Sequence, residues 1–207
     1  MTNYRWAAAL TLGLIIAGCS ESAPEGTEGA TAQAASDGLV RTADPYARGY
    51  TDDDFPRIKE LAPDVYSYEQ LRSAGEENFT TVSMFVVTSE GVLVADGQGS
   101  VEETQLMIDH IAEITDQPIT HVVICSDHGD HTGGNTTFPS DAVFLAHTTS
   151  AATLTASANN PNRREGSLSV VLPTEIVDDM TTITLGGKEI EILFLGRAHT
   201  GGDLSVH

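Results

Sequence analysis

Apolar residues first run together from Trp6 to Ala17, with no charge among them and Arg5 just before. That outline is a secretory signal over residues 1–18. Residues 20–44 lose all apolar periodicity and are rich in Ala, Ser, Gly, Thr and Glu, the pattern of a flexible tether. Regular patterning then begins. Val65 to Tyr68 is a short strand candidate. Thr81 to Thr88 and Val92 to Ala95 flank Ser89-Glu90-Gly91 and predict a hairpin. From Val101 to Thr115 the apolar positions are 101, 107, 108, 111 and 114, a helical period, with Ser100 as N-cap and Glu103 completing a capping box. Ile119 to Cys125 reads as a buried strand, Ala142 to Ala146 as another, and Ser150 to Ala158 as a short helix ended by Asn159-Asn160-Pro161. Thr181 to Leu185 and Glu189 to Leu195 flank Gly186-Gly187 as a second hairpin. The order is hairpin, helix, strand, strand, helix, hairpin, which predicts an α/β (α+β) fold with a mixed sheet flanked by helices.

Composition narrows the function classes. The chain has 207 residues, 40% of them hydrophobic, enough for a buried core. Ten Lys and Arg stand against 30 Asp and Glu, a net charge of −20. A surface so acidic does not suit nucleic acid, whose phosphates must be neutralised by cations. The two cysteines, Cys19 and Cys125, make no disulfide framework. The end of the leading apolar run, Ile16-Ala17-Gly18-Cys19, resembles the lipobox of bacterial lipoproteins. That resemblance implies a lipid-anchored Cys19 and a periplasm-facing protein of the bacterial cell envelope. The alternative is a plain signal followed by an incidental cysteine. The organisation expected is signal peptide 1–18, linker 19–48 and one domain over 49–207.

The chemistry is concentrated after the strand that ends at Cys125. Ser126-Asp127-His128-Gly129-Asp130-His131-Thr132-Gly133-Gly134-Asn135 packs imidazoles and carboxylates into a glycine-rich loop. Nitrogen and oxygen donors so placed suit a divalent transition metal. His110, His121 and His147 lie in or beside regular elements and read as structural. No GxSxG, P-loop or dinucleotide fingerprint is present.

The loop resembles the HxHxDH loop of the metallo-β-lactamase superfamily. Gly196-Arg197-Ala198-His199-Thr200-Gly201-Gly202-Asp203 is similar to that family's later GxxHTxGD element. The resemblance spans roughly residues 60–207, from the Val87–Gly97 hairpin onward. The resemblance implies the N-terminal part of an αββα sandwich with an incomplete second half. It implies His128 and His199 as ligands of one zinc, with Asp130 and His131 as ligands of a second. Asp130 would also orient an attacking hydroxide. Asp96 is either a turn aspartate or the family's brace behind the ligand loop. Ser126 stands where the motif has its first histidine, and a neutral hydroxyl is a weak zinc ligand beside imidazole. The sequence ends at His207, before the family's remaining ligands, which suggests a fragment of a longer protein. The activity implied is a zinc-dependent hydrolase, with one or two ions, acting on a small-molecule ester, thioester or lactam. The alternatives are iron-dependent oxidation of a sulfur compound on the same fold, or a non-catalytic lipoprotein with a degraded metal site.

Overall fold

The computed structural model describes residues 42–207. The signal segment, Cys19 and the tether up to residue 41 lie outside the described residues. Pro45 to Gly49 form a turn, and Arg48 pairs there with Glu69 at 3.2 Å. Among the described residues no helix is long and apolar enough to cross a membrane.

Seven strands form the main sheet in sequence order: β1 (Arg57–Ala62), β2 (Val65–Ala74), β3 (Glu77–Thr88), β4 (Gly91–Ala95), β5 (Ile119–Ile124), β6 (Val143–His147) and β7 (Glu175–Val177). The first four are antiparallel, and β4 to β7 are parallel. The parallel part requires crossovers, and α1 (Val101–Ile114) links β4 to β5. Helix α2 (Gly129–Thr132) is a single turn in the next crossover, and α3 (Thr148–Ala158) leads from β6 towards β7. A second sheet holds β8 (Met180–Leu185), β9 (Lys188–Leu193) and β10 (Ser205–Val206) in the order β10-β9-β8.

Two apolar layers follow from the alternation of side chains along the central strands. Phe85, Val92, Val94, Val122, Ile124 and Phe144 pack with Met107 and Ile111 of α1 and Leu154 of α3. The opposite set, Val86, Leu93, Val123 and Leu145, packs against Leu185, Ile190 and Ile192 of the second sheet. The helices therefore lie on one face of the main sheet and the second sheet on the other.

Both expected hairpins form, and α1 runs one residue short of its expected end. Ser100 caps α1 by accepting the Glu103 N–H at 3.2 Å. The Glu103 carboxylate does not reach back to complete a box. It pairs instead with Arg72 of β2.

The close approach of Gly134 to α1 makes a direct prediction. A Cβ there would overlap the Thr104 hydroxyl and the Ser100 carbonyl oxygen. Gly134→Ala is expected to destabilise the chain by about 1–3 kcal/mol, as overpacking does, read as a lowered urea midpoint.

Candidate metal centre

Parallel strands β4, β5 and β6 end at the same edge of the sheet, with Ala95 opposite Val123 and Ile124 opposite Ala146. Ligands gather at such carboxyl edges in open α/β sheets. Asp96 follows β4, the 126–132 loop follows β5, and His147 closes β6. The second sheet supplies the last segment. Leu204 donates its N–H to the Cys125 carbonyl at 3.1 Å, which brings the 196–203 loop against the end of β5.

Asp96 organises this edge. It is 6% exposed and adopts φ +64°, in the left-handed region that aspartate tolerates better than most residues. Its Oδ1 accepts the N–H groups of Cys125 at 2.7 Å and Ser126 at 3.2 Å. Its Oδ2 lies 2.9 Å from His131 Nδ1. One carboxylate thus ties the start of the loop to an imidazole at its end. Burial is the largest influence on Asp96 and raises its carboxyl above the usual range, against the pull of His131. Burial of His131 opposes its protonation, but the hydrogen bond and charge of Asp96, with help from Asp130, hold it above the ordinary histidine value. Arg72 opposes that shift from nearby.

The four expected donors stand as two pairs. His131 Nε2 is 3.5 Å from Asp130 Oδ2. His128 Nδ1 is 3.2 Å from His199 Nε2, with the rings edge to face. Two ligands at ~2.0–2.1 Å on a tetrahedral ion stand about 3.3 Å apart. Both pairs have that spacing, and nitrogen and carboxylate donors are the set zinc takes, so the residues present fit the metal. Among the described residues no group of three or more His, Cys, Asp or Glu is arranged to hold an ion. Each pair offers two donors at that spacing, and any further ligands would have to come from elsewhere.

Ser126 is buried, and its Oγ accepts the His128 N–H at 3.4 Å. It fastens the loop backbone. Asp203 accepts the Thr200 N–H at 2.7 Å and closes the turn after His199. Its partial burial works against ionisation, but hydrogen bonds from Thr200 and neighbouring N–H groups prevail and lower its carboxyl below the usual range. Cys125 is pushed well up, mainly by burial, which makes it a poor nucleophile. The other histidines stand in contacts of their own. His147 accepts the Thr149 N–H at 3.2 Å as the N-cap of α3, and its ring stacks on Phe194 at 3.7 Å. His121 sits against the Thr120 hydroxyl, and His110, on α1, faces the Tyr68 ring with centroids 5.9 Å apart.

Two residues near the centre have no sequence signal. Thr81 of β3 donates to Asp130 Oδ2 at 3.2 Å. Arg72 lies across Gly99, where a Cβ would overlap its guanidinium.

No family model matches the chain. It is 24% identical over 153 residues to "Metallo-beta-lactamase IND-1" of Chryseobacterium indologenes, covering 74% of this chain and 60% of that protein. It is 24% identical over 149 residues to "Metallo-beta-lactamase type 2" of Bacillus cereus, covering 72% and 54%. The chain therefore spans little more than half the length of these curated relatives. Among solved structures, a metallo-beta-lactamase from Pontibacter korlensis superposes with a TM-score of 0.62 at 20% identity, covering 73% of this chain and 66% of that one. Metallo-beta-lactamase IND-7 gives 0.59 at 21% identity, covering 72% and 64%.

Proposed function

We propose that this chain, which has the metallo-β-lactamase fold, is the metal-binding part of a zinc-dependent hydrolase acting on an ester, thioester or lactam. The observation that carries this reading is the pair of donor spacings, 3.5 Å for Asp130/His131 and 3.2 Å for His128/His199, on two loops joined by the Leu204–Cys125 hydrogen bond. His128 with His199, and His131 with Asp130, are the residues that would hold zinc. Bound zinc supplies a Lewis acid and lowers the pKa of a water to about 7.

The chain's own groups prepare that chemistry. Asp96 Oδ2, 2.9 Å from His131 Nδ1, is placed to take an Nδ1–H there, which would fix the tautomer and leave Nε2 for the ion beside Asp130. Asp130 Oδ2 is engaged by Thr81, so Oδ1 is the oxygen left to accept a hydrogen bond from an attacking water. The raised thiol of Cys125, and among the described residues no serine hydroxyl bonded to an imidazole at the site, argue against an acyl-enzyme route.

The test is zinc titration of the purified full chain, followed by assay against ester, thioester and lactam probes. Zinc uptake with hydrolysis of one class supports the reading. Iron retained with oxygen uptake and no hydrolysis overturns it in favour of sulfur-compound oxidation.

A non-catalytic protein with a degraded site is the second reading, and Ser126 favours it. With its hydroxyl on the His128 N–H, it leaves the His128/His199 pair without the motif's first imidazole. Restoring that donor is informative under either reading. Ser126→His is expected to tighten zinc binding, measured by competition with a chelator. An unchanged dissociation constant in a folded variant places position 126 away from the ion.

A further inference from the structure

Asp130 sits in a helix of a single turn whose N-cap, His128, makes no side-chain capping bond. Its side chain is 27% exposed. The loop therefore does little by itself to fix the carboxylate. Its side-chain hydrogen bond comes from the sheet. Thr81, 49 residues earlier, is 1% exposed in β3, and its Oγ1 donates to Asp130 Oδ2 at 3.2 Å. That oxygen is also the one 3.5 Å from His131 Nε2. A β-branched side chain in a buried strand has little freedom at χ1, so the hydroxyl is held in place by the sheet.

We propose that Thr81 is a positioning residue, reaching the metal centre from the main sheet and aiming Asp130 Oδ2 at the ion shared with His131. It acts on the ion only through Asp130. The inference rests on the zinc reading above. It adds that one of the two ligands owes its geometry to a hydroxyl outside both motifs. Asp96 has the matching part for the other ligand, since it holds His131 from the far side. The pair is thus gripped by one residue at each end, both rooted in strands or strand ends of the same sheet.

The test uses the full chain in a His199→Ala background, so that zinc reports on the Asp130/His131 pair. Zinc alone is the probe, and affinity is read by chelator competition. Thr81→Val keeps the shape and the strand preference but removes the donor. It is expected to weaken zinc by about 10–100-fold, the usual cost of losing a partner behind a ligand. Its metal-free thermal midpoint should stay within a few degrees of the parent, because the exposed edge of Asp130 is open to water. Thr81→Ser keeps the hydroxyl and should restore most of the affinity. If the parent binds zinc and Thr81→Val binds it equally well, the positioning role falls and the zinc reading stands. If Thr81→Ser loses as much as Thr81→Val, packing rather than the hydroxyl is responsible, and the positioning role falls again. If the parent binds no zinc at all, the zinc reading falls and takes this inference with it.

Discussion

Asp130→Ala is expected to abolish both zinc retention at the Asp130/His131 pair and any hydrolysis, while leaving the fold in place. The two effects separate because of where Asp130 stands. Its side chain is partly open to solvent and outside both apolar cores, so its loss creates no cavity and strands no buried charge. Among the described residues, the one side-chain donor it leaves is the Thr81 hydroxyl, whose proton can turn about the C–O bond to another acceptor. The ion, by contrast, loses one of the two donors this pair offers. Metal stabilisation of a transition state is worth several kcal/mol, so the catalytic loss should be on the order of 10²–10³-fold or more. Zinc competition and hydrolysis assays report the functional half of the prediction, and a urea titration without metal reports the structural half. A variant that keeps zinc and turnover removes Asp130 from the centre.

Local period and long-range geometry differ in how far the sequence shows them. The β3–β4 hairpin and α1 are written in apolar spacing over a few residues, and both form. β2 extends six residues past the expected Tyr68 because Glu69, Gln70 and Arg72 are polar for reasons of their own. Glu69 takes Arg57 and Thr80, and Arg72 takes Glu103. β1 was invisible since nearly every residue in Arg57–Ala62 is exposed and no alternation marks it. β7 and β10 are only three and two residues long, too short to carry a period. The donor loop was legible because its histidines and carboxylates are contiguous. The partners that aim them are not contiguous. Asp96 is 35 residues from His131, and Thr81 is 49 from Asp130, so only the folded sheet brings them together. The Glu103 side chain is the reverse case. A local motif predicted its use, and a cross-element ion pair with Arg72 took it.

Asp96 gives the second large effect, and two substitutions divide its two jobs. Asp96→Ala removes every acceptor at once. The N–H groups of Cys125 and Ser126 lose their partner, His131 Nδ1 loses its own, and alanine is placed at φ +64°. Each stranded buried donor costs about 1–3 kcal/mol, and a non-glycine residue without a polar side chain pays about 1–2 kcal/mol more in the left-handed region. The expected loss is about 3–6 kcal/mol, a large fraction of the stability of an ordinary domain. Asp96→Asn should behave differently. Its amide oxygen still accepts the two backbone N–H groups, asparagine suits a positive φ, and a buried charge is removed. The amide nitrogen, however, now faces His131 Nδ1 and donates to it. That bond selects the opposite tautomer, with the proton on Nε2, and a protonated Nε2 cannot ligate a metal. Asp96→Asn is therefore expected to keep a urea midpoint near that of the parent while weakening zinc by about 10–100-fold. The tautomer is the direct check: in the metal-free variant, the ¹⁵N shifts of His131 should move its proton from Nδ1 to Nε2. If Asp96→Asn binds zinc like the parent, the carboxylate braces the loop but does not set the imidazole. If it unfolds like Asp96→Ala, the negative charge itself holds the edge together.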